Sequence, residues 1–382
     1  MINRQAIKSG LDKAYRNNEA IKQLSAINTE QENQTRYIIF SDQHRGARNG
    51  ADDFKRSEQA YNAALAYYNA MEYHLIALGD VEELWEETPE TVLEAYDRTL
   101  SLEHDFHKNG RYHRVFGNHD EIWQDPANVK KYLQPHFGER ELKVHEGFKI
   151  PVAKNGRDIG ELFLVHGHQG TADSDKYAWF SKLFVRYVWQ PFQRLTKYRL
   201  NTPAQDWELR QGYNEAMYEW AKNQREKVVL ITGHTHKPVF ESQTKEQQLL
   251  AAQQAIMHDK TLPDAEKRQK RAELAVQIER FRTVESADAE VIADMLPCYF
   301  NTGCCSFADG DVTGLEIADN QIKLIRWSGD NLNLKPEILA AASLEMVFDK
   351  IRADRQTKAQ PQTQPGVAQP GGLFPQPALA TG

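Results

Sequence analysis

The chain predicts an α/β fold assembled from βα units, and three observations carry that prediction. Five short apolar runs, at 37–40, 75–78, 115–116, 162–165 and 228–231, read as buried strands. Helical patterns alternate with them, most clearly at 54–73, 91–108 and 127–134. Each run ends in a polar cluster: Asp42-Gln43-His44, Gly79-Asp80, Gly117-Asn118-His119-Asp120, His166-Gly167-His168 and Gly233-His234-Thr235-His236. The edge where strands end is where α/β proteins build their sites. A core has no use for Asp, Asn and His repeated at the ends of buried strands, because unpaired polar groups are costly there.

Residues 1–34 read as an N-terminal helix and a polar connection. Ile7, Leu11 and Tyr15 fall at helical spacing, and 28–34 is polar. The main domain then spans 35–330. Within it, 242–290 is a charged insert dominated by Gln, Glu, Lys, Arg and Ala, broken by Pro263. It reads as a pair of exposed helices, either a solvated appendage or an oligomerisation element. Strands at 312–318 and 322–327 follow, joined by a tight turn at Asp319-Asn320. Residues 331–382 predict a C-terminal helix and a Pro/Gln-rich tail without periodicity, read as disordered.

The length of 382 residues allows one large α/β domain with additions or two modest ones. An apolar content of 40% suffices for a core, while a mean hydropathy of -0.68 points to long solvated segments. The formal charge of -7 disfavours a general nucleic-acid binder. No apolar stretch near the start is long enough for a signal peptide's core, and no run approaches the ~18 apolar residues of a membrane span. Three cysteines, two of them adjacent at Cys304-Cys305, do not make a disulfide framework. The expectation is a cytoplasmic enzyme with reduced thiols.

In order and unbroken, the five clusters resemble the calcineurin-like metallophosphoesterase family, whose pattern runs D-x-H, G-D, G-N-H-D/E, a lone H, then G-H-x-H. The resemblance covers roughly 36–330 and leaves out both ends and the insert. It implies a four-layer α/β/β/α sandwich of two mixed sheets with helical additions. It also implies a dinuclear metal centre that hydrolyses a phosphoester or pyrophosphate bond. Position by position, it gives Asp42, His44 and His236 to the first metal and makes Asp80 the bridge. Asn118, His166 and His234 go to the second. The two-residue spacing in Asp42-x-His44 and His234-x-His236 aims both side chains the same way on an extended segment. Mixed nitrogen and oxygen donors suit Mn²⁺, our first expectation, or Fe or Zn²⁺.

The resemblance further places His119 facing the substrate as cation or general acid, with Asp120 holding its imidazole and raising its pKa. His166 directly follows its strand and takes the lone-His position. His168 then lies behind the ligands or faces the substrate. Arg45 is expected at the rim, gripping a phosphate or pairing with Asp52 or Asp53. Glu83 reads as a supporting group rather than a ligand.

The stretch Gly79 to Trp85 is similar to the G-D-x-x-D-L-W of the UDP-diacylglucosamine pyrophosphatases of lipid A synthesis. Those enzymes carry a helical lid after the lone-His block, and residues 176–225 fit that place. In 176–200, Trp179, Phe180, Phe184 and Tyr187 alternate with basic residues such as Arg186 at helical spacing. Such a helix could lie on an anionic membrane surface, cover an acyl chain, or pack its aromatics onto the core. That family has Arg where this chain has His119. The expected substrate is a phosphorylated small molecule, nucleotide-linked or lipid-linked, with peripheral membrane contact through 176–200. A metal-dependent nuclease is the alternative within enzymes, and the acidic balance disfavours it. A non-catalytic metal-binding scaffold is the alternative outside them, and the complete ligand set disfavours that. The sequence does not reveal the oligomeric state.

Overall fold

Runs of Val, Ile, Leu and Phe become strands buried on both faces, as a sheet sandwiched between layers requires. The structure, a computed structural model, describes residues 2–30, 35–170, 207–244, 249–250, 253, 256–257, 263–281, 295–328 and 335–359. Its elements run α1 (Arg4–Arg16), β1 (Ile21–Gln23), β2 (Ile27–Asn28), β3 (Tyr37–Phe40), α2 (Phe54–Ala70), β4 (His74–Leu78), α3 (Pro89–Ala95) and α4 (Asp97–Lys108). Then come β5 (Tyr112–Val115), β6 (Val144–His145), β7 (Gly147–Lys154), β8 (Arg157–Val165), α5 (Trp207–Asn223), β9 (Val228–Thr232), β10 (Val239–Phe240) and β11 (Gln243–Thr244). The chain continues through α6 (Asp264–Phe281), β12 (Tyr299–Asn301), β13 (Val312–Ala318), β14 (Gln321–Trp327), β15 (Glu337–Ser343) and α7 (Leu344–Ala359).

Two mixed sheets result. One has the order β15-β14-β13-β3-β4-β5-β6, and the other β1-β7-β8-β9-β12-β10-β11 with β2 beside β7. In the first, β3 to β6 are parallel, so β3, β4 and β5 all end at one edge. In the second, β8, β9 and β12 are parallel. Between the sheets, Ile39, Ile76, Leu78 and Val115 of the first join Phe148, Leu164 and Val229 of the second in one core. That cluster runs on through the second sheet to α1, α5 and α7, by way of Ile7, Leu11, Met217, Trp220 and Phe348. A separate cluster packs Phe54, Tyr61, Leu65, Tyr68 and Leu100 of α2 and α4 against Phe40, Leu75 and Ala77 on the other face of the first sheet. Four layers are therefore in place: helices, sheet, sheet, helices.

The predicted helix at 91–108 is two helices. Thr88 caps α3 by accepting from Thr91 N, Pro89 opens it, and the chain bends at Tyr96 before α4 begins. The connection at 28–34 is preceded by strands too short for periodicity to reveal, β1 and β2, both parallel to β7. At the β13–β14 turn, Asp319 and Asn320 take φ of +51° and +58°, the pair of left-handed residues that a type I′ hairpin requires. An edge strand, β15, precedes the C-terminal helix and was not expected from the sequence. Residues 176–200, parts of the insert at 242–290 (245–248, 251–252, 254–255, 258–262 and 282–290) and the tail from 360 lie outside the described residues, while α6 supplies one helix of that insert. No helix among the described residues is long and apolar enough to cross a membrane.

Candidate metal centre

The strand ends of both sheets converge. β3, β4 and β5 lead into Asp42–His44, Asp80 and Asn118–Asp120, while β8 and β9 lead into His166 and His234–His236. Five of the seven expected ligands stand in the left-handed backbone region: Asp42 (+56°), His44 (+48°), Asp80 (+51°), His234 (+68°) and His236 (+56°). Such residues cost on the order of 1 kcal/mol each unless the surroundings over-determine them, and they cluster at functional sites.

Glycines let the loops interlock. A Cβ on Gly79 would stand 2.6 Å from the His166 ring, one on Gly117 would overlap Asp80 Oδ1, and one on Gly233 would overlap Ser41 Oγ and Asp42 Oδ2. Each glycine thus makes room for a polar side chain of another cluster, which explains why three of the motifs begin with Gly. Hydrogen bonds join the same loops. Asp42 N donates to Gly79 O (3.1 Å), His234 N to Asp42 Oδ2 (2.9 Å), His119 N to Asp80 Oδ1 (2.8 Å) and Gly233 N to His166 O (2.9 Å).

The expected ligand atoms fall into overlapping groups. Asp42, His44 and His236 each offer an atom within 4.8 Å of the others, and so do Asp80, His166 and His234. A third group, His44, Asp80 and His119, overlaps both ligand sets. His44 Nε2 lies 3.1 Å from His236 Nε2 and 3.7 Å from Asp80 Oδ2, while His166 Nε2 lies 3.0 Å from the same Asp80 oxygen. His234 Nε2 and Asn118 Oδ1 are buried and make no hydrogen bond. Leaving such atoms unsatisfied costs about 1–3 kcal/mol each, and a cation removes that cost. The donor set fits divalent metal.

Electrostatics agree. Burial alone pushes the His166 imidazole down, but the Asp80 and Asp42 carboxylates overcome it and raise the pKa to about 9. His234, where burial dominates, is pushed down to about 3. Asp80 is held well below the carboxylate range: burial opposes this, but the imidazoles of His166, His119 and His44 outweigh it. A pocket that draws protons onto buried imidazoles is one that draws cations.

The partner of the His119 ring corrects the sequence reading. Glu83 accepts from His119 Nδ1 at 2.8 Å and also from His44 Nδ1 at 2.9 Å. Asp120 faces away from that ring. Its carboxylate accepts from Gly117 N (2.6 Å), Val81 N (3.0 Å) and Asp80 N (3.3 Å), with Arg114 at 3.5 Å. Placed below the loops, it ties the Gly117 turn to the Asp80 turn. Burial raises its carboxyl to about 6 against the opposing Arg114 guanidinium. Burial would raise the Glu83 carboxyl, but His119 and His44 bring it down to about 2. The face of His119 is taken by Trp85, whose ring stacks at 4.0 Å and 15°, and Trp85 Nε1 donates to Asn118 O (2.8 Å). Glu83 and Trp85 follow Asp80 at fixed intervals, so the signal for them was the stretch after the second cluster.

Arg45 does not sit at the rim. It is 1% exposed, paired with Glu103 and flanked by the Phe54 and Tyr61 rings at 5.5 and 5.6 Å, so it cannot grip a substrate phosphate. Arg followed a motif residue in the sequence, but the buried acid that claims it lies on α4, 58 positions away. His168 is 6% exposed, its ring 5.5 Å from that of His166 and 6.0 Å from Phe116, and it stands outside the three ligand groups. Asn301, not singled out from the sequence, braces the last ligand loop by donating to Gly233 O at 2.5 Å and Thr235 Oγ1 at 3.2 Å.

A family model described as calcineurin-like phosphoesterase matches residues 35–238, more than half of the chain. No curated protein matches it. Among solved structures, a conserved uncharacterized protein of Streptococcus pneumoniae TIGR4, a predicted phosphoesterase, aligns at 12% identity over 78% of this chain and 91% of that one, with a TM-score of 0.25.

Proposed function

The chain belongs to the calcineurin-like phosphoesterase family and is a hydrolase acting on phosphoesters; from that premise we propose that it works with two divalent ions. One observation carries this reading. Asp80 falls in one ligand group with His166 and His234 and in another with His44, itself grouped with Asp42 and His236. Asp42, His44 and His236 would hold one ion, Asn118, His166 and His234 the other, with Asp80 between. Bound there, divalent ions supply Lewis acidity, which makes water a better nucleophile at neutral pH and draws charge from phosphoryl oxygens. Mn²⁺ leads the candidates, with Fe and Zn²⁺ behind it, because the donors mix imidazole, carboxylate and carboxamide.

The protein's own part falls to His119. Glu83 accepts from its Nδ1, so the transferable proton is on Nε2. The imidazole is raised above its ordinary pKa: burial opposes this, but the Glu83 and Asp80 carboxylates outweigh it. A cationic His119 donates to the departing oxygen. The substrate we propose is a phosphoester or pyrophosphate of a nucleotide-linked or lipid-linked molecule. Two things support it: the Gly79 to Trp85 stretch, and the aromatic and basic residues of 176–200 that would meet a lipid at a membrane surface. Cytoplasmic location is part of the same proposal.

The test combines metal titration with a substrate panel. Metal-depleted protein is titrated with Mn²⁺, Fe²⁺ and Zn²⁺ and assayed on aryl phosphates, phosphodiesters, nucleotide pyrophosphates and lipid-linked pyrophosphates. Two equivalents and a preference for pyrophosphates are expected. Saturation at one equivalent, with full activity, would overturn the two-ion reading.

A further inference from the structure

α1 lies before the stretch that the family model covers, yet it touches the metal-bearing edge. The contact is backbone on backbone. A Cβ at Gly10 would stand 2.5 Å from Gly170 N and 2.6 Å from Gln169 C. A Cβ at Gly170, φ +76°, would overlap Ala6 O and come 2.5 Å from the Ala6 carbonyl carbon. No side chain fits between helix and loop. That loop begins at His166, which is tied to Leu78 O through Nδ1 (2.9 Å), and it closes on itself where Gly167 N donates to Gln169 Oε1 (3.1 Å).

The helix is the stiffer of the two. Its Ile7, Leu11 and Ala14 are buried in the main core. Arg4 and Lys8 pair with Glu215 and Glu219 of α5, and Trp220 Nε1 of α5 donates to Asp12 Oδ1 at 2.8 Å. Tyr15 OH donates to Glu161 of β8. α5 itself meets another member of the ligand group of His166, since the Tyr213 ring lies edge-on to His234 at 5.4 Å. The loop carries two positive-φ glycines, Gly167 (+113°) and Gly170 (+76°), whose backbone yields more readily than a packed helix. Displacement at this contact therefore falls on the loop and on His166.

We propose that α1 is a positioning element of the metal centre: the Gly10–Gly170 contact sets the seat of His166. Ala6 and Gly10 are positioning residues that act through the loop, reaching one ligand set and sparing the other. The inference rests on the two-ion reading above.

Calorimetric titration of the metal-depleted full chain with Mn²⁺ tests it. His166→Ala identifies the equivalent that depends on the loop. Gly10→Ala should weaken that equivalent about 10- to 100-fold, the range seen when groups that orient ligands are removed, and leave the other unchanged. The clash with the loop lowers the thermal midpoint in either case, so a purely structural role predicts a lower midpoint with both equivalents intact. Ser9→Ala, on the exposed side of α1, should leave both equivalents as they were. Should Gly10→Ala fail to fold, Asn3→Ala takes its place. It removes the side-chain cap on Ala6 N, 3.0 Å, and frays the turn that carries Ala6. A several-fold weakening of the same equivalent is then expected. If the unaltered chain takes up only one equivalent, the two-ion reading itself is refuted; if His166→Ala keeps both at full affinity, His166 is no ligand and the positioning role falls with it. If His166→Ala loses one while Gly10→Ala, or Asn3→Ala in its place, keeps both at full affinity, only the positioning role is overturned.

Discussion

β4 and β5 carry histidines near their starts, His74 and His113, and lead at their other ends into Asp80 and the Asn118–Asp120 loop. At the starting ends, His74 Nδ1 and His113 Nε2 lie 3.0 Å apart with parallel rings, and His145 on β6 is close by, edge to face with Phe148. Burial pushes His74 to about 4, His113 to about 3 and His145 to about 4, and the neighbouring charges, Arg111, Lys22, Arg140 and Lys143, push the same way. At the opposite ends burial also works against charge, and it prevails at His234. At His44, His119 and His166 the carboxylates of Asp42, Asp80 and Glu83 reverse it, and all three imidazoles are raised. Close-packed imidazoles by themselves make no cation site. Converging carboxylates make the difference.

The sharpest way to break this contrast is to remove the shared carboxylate. Asp80→Ala should abolish activity and metal content together, since Asp80 belongs to two of the three overlapping groups and lies beside the third through His44. Metal analysis finding two full equivalents in the purified variant would sink its central place. Next in size is His119→Ala. It should keep its metals and lose about 10²- to 10⁴-fold in kcat on substrates with poor leaving groups, and far less on activated aryl esters. An equal loss on both substrate classes would show that the imidazole binds charge rather than delivering a proton.

Glu83→Gln should cost less, about 10- to 100-fold. Because Glu83 accepts from both His44 and His119, the loss should appear in metal affinity as well as kcat. A loss confined to kcat would mean that only the His119 contact matters. The smallest effect belongs to the far ends of the strands. The unfolded chain protonates these imidazoles near pH 6.5, whereas the folded chain resists until about pH 3 to 4. Their contribution to stability is therefore constant above pH 6.5 and is lost as pH falls below it, by up to about one proton per histidine. Denaturant unfolding of metal-loaded His113→Gln between pH 7 and 4.5 should show a shallower decline than the unaltered chain. Parallel curves would mean that His113 titrates normally.

Much of this centre was legible because its logic is local. A candidate ligand directly after a buried strand is visible as a polar residue after an apolar run, and five repeats of that pattern marked the loops that carry the grouped Asp and His residues, though not the Asn301 loop that braces them. Partners set by long-range packing were not visible. Arg45 looked like a rim residue because its acid, Glu103, is fixed only once α4 lies over the sheet. Asp120 looked like the brace of its neighbour His119, but the Gly117 turn points its carboxylate inward to three backbone amides. Glu83 takes the His119 ring because the Asp80 turn delivers it there. β1 and β2, at three and two residues, are too short for any period to register. The same locality explains why the apolar runs predicted the strands better than the helical patterns predicted helix limits: the bend at Tyr96 depends on what α3 and α4 pack against.

The proposed ligands are divided between the two sheets. Asp42, His44, Asp80 and Asn118 follow strands of one, and His166, His234 and His236 follow strands of the other. Neither sheet can assemble the set alone, and the hydrogen bond from His234 N to Asp42 joins positions 192 residues apart. Contacts so distant along the chain form late, after the loop-closure entropy of both halves has been met. Cations that bind only the docked sandwich then act as tethers across it, and by mass action they raise the melting temperature in proportion to the logarithm of their concentration. The ions that would serve hydrolysis would also report that the two halves of the molecule have met.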